Sequence, residues 1–304
     1  MIFESLHMNH LKAIASVAAL FSALFYGISV PLVKLFGEHT GATWTSSLLY
    51  FGAGLCMIAL AASMRCCGKR SALGGQKLTK KQAPLLVLMV ALNAASAIAL
   101  MAGISLSDAS TASLLGNFEV AATAVLAWII FRERMGKLMV AAIAAITLSG
   151  LVLSWDGSEA SFSAGALLIL LACAFWGLEN NCTRALSEYD VVSVTRVKGI
   201  FTGIVSALIA LATGDAIDLQ SSIWLLLVGA VSYGASIALY IWAQRHIGAA
   251  RTGNYYSIAP FVGVVLSWAM FGAEFHLSFL LGLALSIVGV ALTALDVSKG
   301  ETSR

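Results

Sequence analysis

The pentapeptide Ala23-Leu24-Phe25-Tyr26-Gly27 returns as Cys173-Ala174-Phe175-Trp176-Gly177, 150 positions later in a chain of 304 residues. The register holds beyond the pentapeptide: Lys34 falls on Arg184, and Glu38 on Glu188. Farther along, the shift becomes 140, which aligns Ala109 with Ala249, Leu126-Ala127-Trp128 with Leu266-Ser267-Trp268, and Phe131 with Phe271. Glu133 and Glu274 stand one residue further out of step. A longer, basic second loop in the first copy accounts for the change of ten. The chain is therefore two related halves in tandem, and the fold question becomes what one half contains.

Composition answers the first part of it. Sixty per cent of the residues are hydrophobic and 11% are charged, against roughly 45–50% and ~25% in soluble domains. So few charges cannot cover that much apolar surface in water. Lipid is the solvent. A mean hydropathy of +0.91 with only three prolines points to helices, because barrel strands alternate polar and apolar residues and have much weaker hydropathy.

A helix needs about 20 apolar residues to cross the hydrocarbon. Ten runs qualify, at 11–36, 44–64, 83–105, 110–131, 137–155, 163–183, 191–213, 222–244, 251–271 and 277–296. Tight turns are expected around Asp108 and Gly248. Residues 11–36 read as a retained span, since the run is longer than a signal-peptide core and no small-x-small cleavage site follows.

Five spans in each half is an odd number, so the second half lies upside down relative to the first. The expected fold is all-α and membrane-integral: one five-helix repeat over 11–155, an inverted one over 163–296, and a tail at 297–304. Basic residues favour cytoplasmic loops. An inside N-terminus puts Arg65, Lys69, Arg70, Lys77, Lys80, Lys81, Arg132, Arg134, Lys137, Arg184, Arg245 and Arg251 on the cytoplasmic side, and it puts Glu38, Asp156, Glu159, Asp215, Asp218 and Glu274 outside. Only Lys34 breaks the pattern, so both termini are expected inside.

A net charge of +3, spread along the chain, offers no basic face for nucleic acid. Cys56, Cys66, Cys67, Cys173 and Cys182 have neither metal-ligand nor disulfide spacing. No cofactor and no metal are expected.

The motifs resemble the drug/metabolite transporter superfamily, in particular its ten-span exporters with two EamA-type domains. The marks are an aromatic-aromatic-Gly run followed by a basic residue (Phe25-Tyr26-Gly27 to Lys34; Phe175-Trp176-Gly177 to Arg184) and a fourth-span pattern of proline, apolar stretch and acid (Pro260 through Trp268 to Glu274). The first half departs from it, with Asn117-Phe118-Glu119-Val120 and an ending at Arg132-Glu133. The resemblance implies a metabolite exporter of the inner or plasma membrane, with amino acids, other amines or small toxic organics as substrates.

An ionisable side chain inside a span costs about 2.5–3.5 kcal/mol on insertion scales. Glu119, near the middle of the fourth run, and Glu179, about a turn from the cytoplasmic end of the sixth, must therefore face the bundle interior. Glu119, beside Gly116 and Asn117, suits a group that alternately binds a proton and a cationic amine; a carboxyl hydrogen-bonded for packing is the plainer alternative. Trp176, Glu179, Asn180 and Thr183 share one helix face. Lys198 lies at similar depth in the next span, so a Glu179–Lys198 ion pair is expected, either as a gate or substrate clamp or as a static pair. Tyr26 and Trp176, with Tyr240, Trp242, Tyr255 and Tyr256, offer rings for flat or cationic substrates; Trp128 and Trp268 suit the interfacial belt. Pro31 and Pro260 each remove a helix hydrogen bond and are candidate gating hinges.

The expected function is secondary transport of a small organic metabolite by alternating access, driven by a proton gradient or by the substrate's own. The lipid bilayer is a partner and a proton the candidate co-substrate. The chain holds no phosphate-binding loop for ATP and no Gly-x-Ser-x-Gly or His-Glu-x-x-His, so a hydrolase is disfavoured and no enzyme activity is expected. A channel or sensor scaffold is the other rival.

Overall fold

The computed structural model describes residues 2–37, 39–66, 73–105, 118–132, 135–154, 164–271 and 277–299. The apolar runs form helices: α1 (Ile2–Phe36), α2 (Ala42–Cys66), α3 (Ala83–Ser105), α4 (Phe118–Phe131), α5 (Lys137–Ser154), α6 (Ala164–Leu186), α7 (Val191–Thr213), α8 (Leu219–Val228), α9 (Ser236–Ile247), α10 (Ala249–Tyr256), α11 (Ala259–Phe271) and α12 (Leu277–Lys299). A π-helical segment, Gly229–Ala235, joins α8 to α9. No strand occurs among the described residues, only an isolated parallel bridge between Gln76 and Tyr189.

Five helical stretches are long and apolar enough to cross a bilayer, at His10–Val33, Ala42–Cys66, Lys80–Leu100, Val191–Thr213 and Leu219–Ile247. Shorter apolar helices occupy Phe118–Phe131, Lys137–Val152 and Leu280–Asp296. The sequence expectation of unbroken runs needs two corrections. The eighth run is part π-helix, and the ninth is two helices separated at Ser257 and Ile258.

Polar residues set the helix ends. Asp190 caps α7 by accepting from the Ser193 amide at 2.9 Å, and Asp218 caps α8 by accepting from the Ser221 amide at 2.9 Å; each satisfies a donor that a helix start leaves unpaired. Gly214 ends α7 at φ 70°, a left-handed conformation that glycine takes without penalty. Gly248, at φ 85°, is the single residue between α9 and α10, which is the tight turn expected there. The turn expected at Asp108 lies outside the described residues.

Packing runs mostly between early and late helices. α2 lies along α7, α5 along α12, α3 along α6, and α1 along the α8–α9 rod and α10–α11. Small residues bring them close: a Cβ placed on Gly199 of α7 would lie 2.6 Å from the Gly54 nitrogen of α2. Close backbone approach of this kind drives helix association where lipid removes the hydrophobic incentive.

The helix ends form two opposed sets of contacts. At one end, Gly41 donates its amide to Ala216 O at 2.8 Å and Thr43 donates its amide to Asp215 Oδ2 at 2.9 Å. At the other, Gln76 donates to Glu188 O at 3.0 Å and Asp190 donates to Gln76 O at 2.8 Å. Arg245 fastens this second junction by donating to the carbonyls of Ser187, Gly74 and Tyr189.

Candidate functional site

Between these two junctions the helices enclose a cavity of about 450 Å³, within the size range of small-molecule sites. Its charged lining residues are Glu119 of α4, Glu179 of α6 and Lys198 of α7. Lys198 Nζ lies 2.9 Å from Glu179 Oε1, with side chains 10% and 2% exposed. The expected ion pair is thus present and buried. Neither partner could remain charged there alone without a penalty of several kcal/mol, so each neutralises the other.

Glu119 is held differently. Asn180 of α6 donates its side-chain amide to Glu119 Oε1 at 3.0 Å and lies 3.2 Å from Thr123 Oγ1. Asn180 is itself braced through its backbone carbonyl, which accepts from Thr183 Oγ1 at 2.7 Å and from Gln244 Nε2 at 3.0 Å. Among the described residues Glu119 forms no ion pair. It sits in the first turn of α4. Asn117, expected beside it, lies outside the described residues.

The aromatic wall is a run of tyrosines. Ring centroids are 5.5 Å apart for Tyr50 and Tyr233, 5.5 Å for Tyr233 and Tyr26, 5.4 Å for Tyr26 and Tyr256, and 5.1 Å for Tyr256 and Tyr240. These tilted and edge-on contacts suit the ring quadrupole and connect five rings in series. Trp176 lines the same cavity. Trp176, Glu179, Asn180 and Thr183, expected on one face of α6, all reach it.

Two aromatic expectations are corrected. Tyr255 is 3% exposed and packs with Ala15, Ala19, Ala243 and Ile247, away from the cavity; its neighbour Tyr256 takes the lining position. Trp242 stacks near His246, with centroids 4.4 Å apart, and also stays outside. Trp128, expected in the interfacial belt, is 54% exposed.

Of the prolines, Pro31 is buried within an unbroken α1. Pro260 is the second residue of α11, so it follows the break in the ninth run and starts a helix there. The break itself lies at Ser257 and Ile258, within the turn where Pro260 cannot bond back to the Tyr256 carbonyl.

Tyr50, Tyr233, Asn93 and Thr202 were missed by sequence reasoning. Tyr50 Oη donates to Asn93 Oδ1 at 3.3 Å, and Asn93 Nδ2 donates to Thr202 Oγ1 at 3.4 Å. A signal did exist for Tyr233: with Gly234 it repeats the Tyr-Gly step of Tyr26-Gly27.

The repeated glycines explain how the cavity is framed. A Cβ on Gly27 would lie 2.6 Å from Ala259 O and 2.6 Å from Val262 Cβ, while one on Gly177 would lie 3.0 Å from the Ala122 carbonyl carbon and 3.0 Å from the Thr123 nitrogen. Each aromatic residue thus precedes a point where α1 or α6 touches another helix, and its ring is directed into the space beside that contact.

Residues 13–155 and 163–295 each match the EamA-like transporter family. The chain belongs to the EamA-like transporter family. It is 24% identical over 291 residues to an uncharacterized transporter of Methanothermobacter thermautotrophicus, covering 90% of this chain and 83% of that one. It is 26% identical over 212 residues to the uncharacterized transporter YyaM of Bacillus subtilis, covering 65% and 68%. A solved crystal structure shares the fold, with a TM-score of 0.76 at 15% identity over 93% of this chain and 98% of that chain. In this EamA-like protein, then, the polar cavity belongs to a multi-pass membrane transporter. No group of three or more histidine, cysteine or acidic side chains suited to a metal occurs among the described residues.

Proposed function

We propose that this EamA-like protein is a secondary transporter, not an enzyme, that exports a small organic metabolite of the amino-acid or amine class across the inner (plasma) membrane. It works by alternating access between two inverted five-helix repeats, with ten spans and both termini inside. The observation that carries the reading is Glu119: a carboxylate facing a tyrosine-lined cavity without a described cationic partner. A carboxylate so placed takes either a proton or a substrate ammonium, and mutually exclusive occupancy is sufficient to couple the two fluxes.

Two features support the inverted repeat. Gly27 of the first copy meets Val262 of the second, and Gly177 of the second meets Ala122 of the first; Ala122 and Val262 correspond under the shift of 140, so the contacts exchange when the halves exchange. The first and seventh connections meet at one end of the bundle and the second and sixth at the other, as alternation of ten spans requires. Two similar halves of opposite orientation give inward- and outward-open states of comparable energy around a central site.

The test uses purified protein in liposomes with an imposed pH gradient and a panel of radiolabelled amines and amino acids. Wild type moves at least one of them in a pH-dependent manner, and Glu119→Gln loses both the rate and the pH dependence. Unchanged rate and pH profile in Glu119→Gln would refute the coupling role.

A further inference from the structure

We propose that the buried Glu179–Lys198 pair makes the cavity a selector for organic monocations that lack a carboxylate, so that amines are accepted and the corresponding zwitterionic amino acids are refused. The inference rests on the cavity being the transport site.

It follows from where the charges are. Glu119, Glu179 and Lys198 are the charged residues among the described lining. Lys198 is committed to Glu179 at 2.9 Å, in a position where that carboxylate has 2% of its side chain exposed. The pair sums to zero, so the cavity carries the single negative charge of Glu119. A monocation brings that charge to zero. A zwitterion leaves it unchanged and adds a carboxylate that needs its own cation.

Lys198 has further donors, but its single positive charge is already balanced by Glu179, so a second carboxylate beside it stays uncompensated, and a buried unpaired charge is strongly unfavourable. Neutral donors can bond a carboxylate but supply no positive charge to balance it. Asn93 and Thr202 are already bonded to each other, and Asn93 accepts from Tyr50. The tyrosine faces attract an ammonium and repel an anion, because the face of an aromatic ring is its negative side. Glu179 thus acts against the unwanted substrate by keeping Lys198 occupied, which is how discrimination is often built.

The same arrangement implies a switch. Removing the charge of Glu179 while keeping its shape releases Lys198, and the cavity then holds one free cation and one free anion, the complement of an amino acid. Removing both charges returns the sum to that of the wild type.

Tyramine and tyrosine share a phenol ring and an amine and differ by the carboxylate, so radiolabelled binding of these two probes to the full-length protein in lipid nanodiscs tests the proposal. Wild type is expected to prefer tyramine by at least about tenfold. Glu179→Gln should narrow the preference to about threefold or less by gaining tyrosine. The double variant Glu179→Gln/Lys198→Gln should keep the wild-type preference, and it decides the matter even where the single variant does not fold. Equal wild-type affinity for the two probes, or tyrosine binding gained by the double variant, overturns the proposal while leaving the transport reading intact. No binding of either probe by any form overturns the selectivity proposal, while the transport reading stands or falls on the wider panel of amines and amino acids.

Discussion

Asn180 reaches from α6 to donate its side-chain amide to Glu119 of α4, 3.0 Å away and 61 positions earlier in the chain. The bond leaves Glu119 ionisable while fixing its direction, and Asn180 is fixed in turn by Thr183 and Gln244. Replacing Asn180 with Leu keeps its bulk and deletes the donor. A hydrogen bond to a charged group contributes about 1.5–3 kcal/mol, so transport in proteoliposomes is expected to fall by about tenfold or more. An initial rate equal to that of wild type would contradict the positioning role.

Lys198→Met removes the partner of a carboxylate that is 2% exposed. Breaking a buried pair from one side costs about 3–5 kcal/mol, whereas replacing both partners is often neutral. The single variant should therefore melt well below wild type in detergent, and Lys198→Met/Glu179→Gln should recover most of the loss. Equal melting temperatures for the single and double variants would show that the two charges act independently.

Gly27→Ala and Gly177→Ala probe equivalent positions with unequal room. The added methyl at Gly27 would press to 2.6 Å on a backbone oxygen of α11, and the one at Gly177 to 3.0 Å on α4. Overpacking costs about 1–3 kcal/mol. Gly27→Ala should lie toward the upper end of that range and Gly177→Ala toward the lower, as read from thermal unfolding in one detergent. The reverse order would contradict the packing described.

Asp215 lies outside the spanning helices, where its carboxylate accepts the Thr43 amide at 2.9 Å. Hydrogen bonds from Thr43, its side chain foremost, hold the Asp215 carboxyl below the usual carboxylate range. A lowered folded-state value means the contribution is fully present above the unfolded pKa of about 3.9 and fades as pH falls through the lower folded value. The melting temperature of wild type should drop more steeply than that of Asp215→Asn from about pH 5 to about pH 3. The group is close to water, so the difference at neutral pH should stay below about 1 kcal/mol. Parallel curves would remove Asp215 from the acid response.

Charge was the most legible signal in this sequence. Glu179 and Lys198 could be paired in advance because two opposite charges at equal depth on neighbouring apolar helices have few other ways to be satisfied. Rings were harder. Tyr255 and Tyr256 are adjacent on α10, where Thr252 and Asn254 are buried along with the apolar residues, so its polar residues mark no solvent side by which to choose between them. They point about 100° apart, and only one can face the cavity. Tyr233 sits in the π-helical segment, where a wider turn shifts every face relative to a 3.6-residue period. Tyr50 lies on α2 with only Ser46 and Ser47 as polar neighbours one turn away, and small hydroxyls are as common in helix packing as in sites. The Ser257–Ile258 break lies in the turn before Pro260, so the proline marks both an interrupted helix and the start of the next.

Gly248 has a mechanical meaning. It alone joins α9, whose Gln244 grips Asn180, to α10, whose Tyr256 stands against the cavity. A joint of one residue leaves little slack, so any displacement of α9 that shifts the grip on Asn180 would be passed on to α10 and its tyrosine. In the transport cycle proposed above, that elbow would tie the hold on Glu119 to the position of the tyrosine wall, and a single residue inserted there would uncouple them.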